Sequence, residues 1–163
     1  MQIIRAKQLD LNDFREYGQF ADLLHANTEK IGEPPIIFFR DMISVFSGTF
    51  VNGYSVVKTN YREMIIDEVE QHSSAVEVLL PLDGDVIIFV SPSTNKVFSE
   101  EKTEAFIVPK GTIIALKAGV WHKAPFPISN DEVNSLVVLP ERTYANDSIV
   151  IKLEELQKIK IIH

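Results

Sequence analysis

The chain of 163 residues has no cysteine, which excludes disulfide staples, thiolate ligands and cysteine nucleophiles. It also has no apolar run near the ~18 residues that a bilayer-spanning helix needs. Residues 1–20 lack an uncharged apolar core, because Arg5, Lys7, Asp10, Asp13 and Arg15 interrupt them. No secretory leader is expected there, and a soluble cytoplasmic protein is the default expectation. Positive charge is sparse: 16 Lys and Arg stand against 23 Asp and Glu, a net charge of −7. No basic stripe offsets this balance, so nucleic acid and anionic membranes are not expected as main partners. What is present is 45% hydrophobic content, enough for one globular domain over residues 1–163 with a full core.

The order of textures points to an all-β fold with a short N-terminal helix. MQIIRAKQL reads as a short strand. In LDLNDFREYGQFADLL, Leu11, Phe14 and Tyr17 recur at near-helical spacing, with Asp10 or Asn12 as cap and Gly18 as the stop. Residues 25–35 are a loop by composition. From Pro35 onward, short β-branched and aromatic runs follow: IIFFRDMISVF, TFVNGYSVVKTN, AVEVLLPL, DVIIFVSP, EAFIVP, TIIALKAG and NSLVVLPE. Turn signals at Ser47-Gly48, Asn52-Gly53, Asp83-Gly84, Ser91-Pro92, Lys110-Gly111 and Ser129-Asn130 separate them, a barrel or sandwich pattern. Asp83-Gly84 suits a tight hairpin. The end, IVIKLEELQKIKII, reads as a strand from Ile149 to Leu153 with a short helix after it. Phe38, Phe39, Phe46, Phe50, Phe89 and Phe106 are expected in the core.

Two of the four histidines fall in two clusters about 40 residues apart. The first is Glu70-x-His72-x4-Glu77-x6-Gly84; the second is Gly111-x5-Lys117-x-Gly119-x2-His122. In an unbroken strand Glu70 and His72 share a face, whereas His72 and Glu77 oppose each other. A bend at Ser73-Ser74 would make them converge. Glu77 sits in the apolar run VEVLLPL, and an inward carboxylate must be paired, protonated or metal-bound. Two imidazoles and a carboxylate around an open position suit a divalent ion. On a metal-dependent reading Glu70, His72, Glu77 and His122 are the candidate ligands and Mn, Fe, Ni or Zn the candidate ion; a metal-free reading of the same residues stands beside it. Lys117 is in register to bind a substrate carboxylate or act as an acid. Lys123 should face solvent, and Arg40, Lys58, Arg62 and Arg142 are further candidates for carboxylate binding.

This spacing resembles the two motifs of the cupin superfamily, which implies a cupin-type double-stranded β-helix barrel, or jelly roll. His72, Glu77, Gly84, Gly111, Gly119 and His122 match; Glu70 replaces the first His, Lys117 a Pro and Phe126 an Asn. Within that superfamily the chain is most similar to the ureidoglycolate lyase family. Glu70, His72, Pro81, Trp121, His122 and Pro125 carry that likeness, together with Leu11, Phe14, Tyr17, Gly18 and Phe20 at the start. The departures are Glu77 for the family's Gln, Lys123 for a second His, and Leu116-Lys117 for a Tyr-His pair.

The lyase resemblance implies cleavage of a small anionic substrate, ureidoglycolate, to glyoxylate and urea. His72 and His122 would be base and acid, Glu77 would orient an imidazole and Lys117 would hold the carboxylate. The wider cupin resemblance leaves two alternatives: a metal-dependent sugar isomerase or epimerase, and a ligand-binding cupin without turnover. A homodimer is expected on general grounds, because an open barrel covers its strand edge.

Overall fold

The structure, a computed structural model, describes residues 1–46, 51–93, 97–129 and 131–163. Its main layer is an antiparallel five-stranded sheet in the order Gly18–Asp22, Thr112–Leu116, Glu77–Pro81, Glu132–Pro140, Asn52–Asn60. A four-stranded sheet faces it, in the order Phe126–Pro127, Val86–Val90, Glu104–Val108, Lys7–Gln8. A third sheet, Gln2–Arg5, Ile159–Ile162 and Ile65–Ile66, contributes to the apolar cluster on the far side of the second. The all-β expectation holds. Among the described residues, no helix is long and apolar enough to cross a membrane.

The run Val86–Val90 explains how the layers stack. All five residues are buried, and successive side chains in a strand point to opposite faces. Val86, Ile88 and Val90 enter one core with Leu79, Ile114, Leu116 and Val133 of the large sheet. Ile87 and Phe89 enter a second core with Ile66, Val69, Trp121, Phe126 and Ile159. A strand buried on both faces reads as an unbroken apolar run, not an alternation.

Several local expectations are corrected. Asp83-Gly84 does not close a hairpin, because Glu77–Pro81 and Val86–Val90 lie in different sheets; the turn carries the chain from one layer to the other. Asn52-Gly53 lies inside a strand. The helix covers Leu11–Phe14, with the Asp10 carboxylate accepting from the Asn12 N–H, and Gly18 begins a strand. Gly18 is needed for a different reason than the one expected: a Cβ there would overlap the Ala115 carbonyl of the adjacent strand. The expected C-terminal helix is instead the strand Ile159–Ile162, paired in parallel with Gln2–Arg5. The Ser47-Gly48 turn, Phe50 and Asn130 of the Ser129-Asn130 turn lie outside the described residues.

The aromatic expectation divides. Phe89 and Phe106 are buried, but Phe38 is 61% and Phe46 88% exposed. Phe106 packs edge-on against Phe14 at 5.3 Å between ring centres. Phe106→Ala is therefore expected to cost about 3–5 kcal/mol, and Phe46→Ala to stay within about 0.5 kcal/mol. Urea unfolding of both variants checks this; equal losses would contradict the assignment of Phe46 to the surface.

Candidate metal centre

The two sequence clusters meet through the backbone. Glu70 and His122 exchange both main-chain hydrogen bonds, Glu70 N–H to His122 O at 2.7 Å and His122 N–H to Glu70 O at 2.8 Å. Directly opposed residues of an antiparallel pair place their side chains on one face, so Glu70 and His122 point the same way. Their neighbours Val69, Gln71 and Trp121 are turned to the other side, where Val69 and Trp121 join the second core. Gly119 supports the approach: it adopts φ +81°, and its N–H donates to the His72 carbonyl at 2.6 Å. Any other residue there would be strained.

The chain bends at Ser73 and Ser74, as expected. The bend lets His72 and Glu77 converge although they are five residues apart: His72 Nε2 lies 3.1 Å from Glu77 Oε2. His122 Nε2 lies 3.2 Å from the same oxygen. The two rings meet edge to face with centres 5.2 Å apart. Glu70, His72 and His122 each offer a ligand atom, all within 4.8 Å of one another. Glu77 is not one of that trio, but its Oε2 reaches both histidine Nε2 atoms from beside it.

The remaining ring nitrogens fix the chemistry. His72 Nδ1 is 2.7 Å from the Asp147 carbonyl and His122 Nδ1 is 2.9 Å from the Val120 carbonyl. A carbonyl only accepts, so both Nδ1 atoms carry hydrogen. Both Nε2 atoms of the neutral rings then aim lone pairs at a carboxylate oxygen in a buried place. That arrangement is repulsive unless a cation sits among the three groups, either protons on the rings or a metal ion. An imidazole held at Nδ1 by a carbonyl is also the usual state of a metal-ligating histidine. The residues therefore fit a divalent ion.

The pKa directions describe the protonated alternative. For His72 burial favours the neutral ring, but the Glu77 hydrogen bond, the Asp147 carbonyl and the Glu77 charge together outweigh it and the opposing His122 ring, and the net pKa is raised. For His122 burial is likewise overcome, by the charge of Glu77 and its hydrogen bond, and the pKa is raised. Burial would raise Glu77, yet the two imidazoles bring it down to about 2.

The other candidates separate. Lys117 is exposed and donates to the Arg15 and Glu16 carbonyls at 2.6 and 3.2 Å. It satisfies carbonyls just beyond the N-terminal helix, and it lines a different surface hollow from the histidines, which corrects its placement among the site residues. Lys123, expected in solvent, bridges Glu68 at 2.7 Å and Glu70 at 3.2 Å. Arg62 stacks on Phe126 at 4.1 Å and donates to the Ala124 and Pro125 carbonyls. Arg40 pairs with Glu29, and Lys58 with Glu132 at 3.0 Å.

A cavity of about 570 Å³ opens on the cluster, with Glu70, His72 and Glu77 in its wall. Arg142, Thr143, Tyr144 and Ser148, from the segment after the Glu132–Pro140 strand, line it too. Arg142 is 71% exposed and makes a loose ion pair, 3.6 Å, with its neighbour Glu141. No motif marks residues 141–148 in the sequence; their place is set by tertiary packing alone.

The family described as "Domain of unknown function (DUF4867)" matches residues 40–162. The chain belongs to that family. Germin-like protein 1-2 of Oryza sativa subsp. japonica is 30% identical over 74 residues, 44% of this chain and 33% of that protein. The chain thus spans about a third of the length of that curated relative. Among solved structures, a dTDP sugar isomerase from Desulfovibrio desulfuricans G20 superposes with TM-score 0.55 at 10% identity, covering 86% of this chain and 87% of that one. RmlC from Streptococcus suis in complex with dTDP-D-xylose gives TM-score 0.44 at 13% identity, covering 69% and 60%. Bacillus subtilis oxalate decarboxylase, whose Mn(II) centres have been studied, gives 0.46 at 14%, covering 64% of this chain and 24% of that one. The fold is a cupin.

The cluster sets a pH window for the metal-free protein. Glu77 adds stability above the ordinary 4.5 and loses it as pH falls towards about 2. The imidazoles add stability below the ordinary 6.5 and lose it as pH rises through their raised values. Against a His122→Ala reference, chelated protein should gain most thermal stability in mildly acidic buffer and lose that gain on the alkaline side. A divalent ion competes with the same protons and should reverse the alkaline loss. Melting curves across pH test this; a difference from the reference that stays flat through neutrality would contradict it.

Proposed function

We propose that the protein is a divalent-metal cupin enzyme that transfers a proton on a small carboxylic acid bearing a neighbouring hydroxyl or carbonyl. The observation that carries this reading is the convergence of two Nδ1-anchored imidazoles on one Glu77 oxygen, at 3.1 and 3.2 Å. His72, Glu77, His122 and Glu70 would hold the ion. Two carboxylates among four ligands favour a hard ion such as Mn(II) or Fe(II) over one preferring sulfur or all-imidazole sets. When bound, the ion polarises a substrate oxygen and makes an adjacent proton easier to remove.

The residues divide the remaining work. Glu77 is enclosed by the imidazoles, so its role is to hold. Glu70 faces the cavity with one oxygen tied to Lys123, which leaves the other for the ion and fixes the carboxylate that presents it. Arg142 is the cation in the cavity lining, and its planar fork suits a carboxylate. It takes the role first expected of Lys117. The isomerase or epimerase class fits this division of labour, and the similar fold of a dTDP sugar isomerase supports that class. The ureidoglycolate lyase reading shares the carboxylate and the neighbouring oxygen, and assay separates the two.

The test is incubation of Mn(II)-loaded protein with small hydroxy, keto and uronic acids in deuterium oxide, read by NMR. Deuterium should enter next to the hydroxyl or carbonyl carbon. His122→Ala and Glu77→Gln should abolish exchange, Arg142→Ala should raise KM about tenfold or more, and Lys117→Ala should leave turnover unchanged. Urea and glyoxylate release from ureidoglycolate without isotope exchange would replace the isomerase class by the lyase. Tight binding with neither would make the protein a sensor.

A further inference from the structure

Asp147 lies outside both sequence clusters, yet it touches the first one five times. Its backbone carbonyl is 2.7 Å from His72 Nδ1. Its carboxylate accepts from Ser73 N–H at 2.7 Å, Ser74 N–H at 2.9 Å, Ser74 Oγ at 2.8 Å and Ala75 N–H at 3.1 Å. Three consecutive amides and a hydroxyl therefore close around one anion, a concave nest of the kind that binds anions.

These contacts fall where the site most needs support. His72 and Glu77 would oppose each other on a straight strand, and the 73–75 bend is what turns them together. A bend in a short polar stretch has little packing of its own: Ser73 and Ser74 are exposed. The aspartate supplies the missing constraint, with charge-assisted bonds stronger than neutral ones. Its carbonyl then keeps hydrogen on Nδ1, so that Nε2 faces Glu77.

We propose that Asp147 is the positioning residue of the metal centre: its carboxylate holds the 73–75 bend and its carbonyl fixes the tautomer and orientation of His72. The proposal rests on the metal reading above and adds a residue supplied by the segment that also carries Arg142 and Ser148 to the cavity. That segment reaches the cluster through Asp147, after the short Thr143–Asn146 helix, whose end is capped by the Asp147 N–H on Thr143 O at 2.8 Å.

Co(II) titration with optical spectra tests it on Asp147→Ala and Asp147→Asn. Alanine should weaken Co(II) binding about 10–100-fold, the usual cost of losing an outer partner, and change the ligand-field bands as His72 loses its fixed orientation. Asparagine keeps an acceptor oxygen and should retain the wild-type bands with a loss below about tenfold. It decides alone if the alanine variant does not fold. Asp85→Ala is the control: it removes a carboxylate that accepts from Lys110 N–H at 2.8 Å in a distant turn, and should cost stability without moving Co(II) affinity.

The two readings fail separately. In metal-free protein in alkaline buffer, nitrogen NMR should show His72 protonated at Nδ1 in the wild type and as a tautomer mixture in Asp147→Ala, which keeps the carbonyl but loses the carboxylate contacts that hold it against His72. Wild-type Co(II) affinity and bands in both variants would overturn the role of Asp147 and leave the metal reading intact. No Co(II) binding by wild-type protein, with the His72 tautomer still dependent on Asp147, would overturn the metal reading and leave Asp147 as the positioning residue of the imidazole pair. A His72 tautomer indifferent to Asp147 would overturn the proposal whatever the metal result.

Discussion

Everything about this site depends on one crowded point: a buried carboxylate oxygen with two imidazole nitrogens a hydrogen-bond length away. Burial alone would expel the charge on Glu77 or neutralise it. It stays because positive charge is available beside it, as protons or as an ion, and because each ring is tied from behind to a main-chain carbonyl. Those carbonyls belong to residues 120 and 147, so the electrostatics of the centre are set as much by backbone placement as by the ligands.

The cupin layers make that placement possible. Strand alternation sends Val120 and His122 inward while Trp121 fills the second core, and sends Glu70 inward while Val69 is buried opposite. The apolar residues on one face hold the ionisable residues on the other in register. A one-residue slip would exchange the two sets, burying Glu70 and His122 against Ile66 and Phe89. The main-chain pair between Glu70 and His122 is therefore both a structural joint and the line along which the two halves of the site meet.

Much of this could be read from the sequence because it depends on spacing. The positions of His72, Glu77, Gly119 and His122, the bend at Ser73-Ser74 and the succession of short strands all follow from local pattern. What could not be read depends on which distant segment lies alongside. Lys117 shares the register of the inward residues, but a long flexible side chain reaches the carbonyls after the nearby helix more easily than the cavity. Lys123 follows His122 in the chain and reaches Glu68 and Glu70 on the segment that pairs with His122, a partner that local alternation does not reveal. Phe38 and Phe46 look like core by composition, but only packing decides which aromatics the sheets cover. Asp147 sits in a stretch, TYANDS, that announces a turn and nothing more; its value comes from the three amides it meets across 72 to 74 residues of sequence separation.

Pulsed electron paramagnetic resonance on Mn(II)-loaded protein counts the imidazole nitrogens coupled to the ion. Two are expected, falling to one in His122→Ala, with stoichiometric ion in the wild type. An ion with no directly bound imidazole nitrogen, or no bound ion at all, would contradict the metal reading.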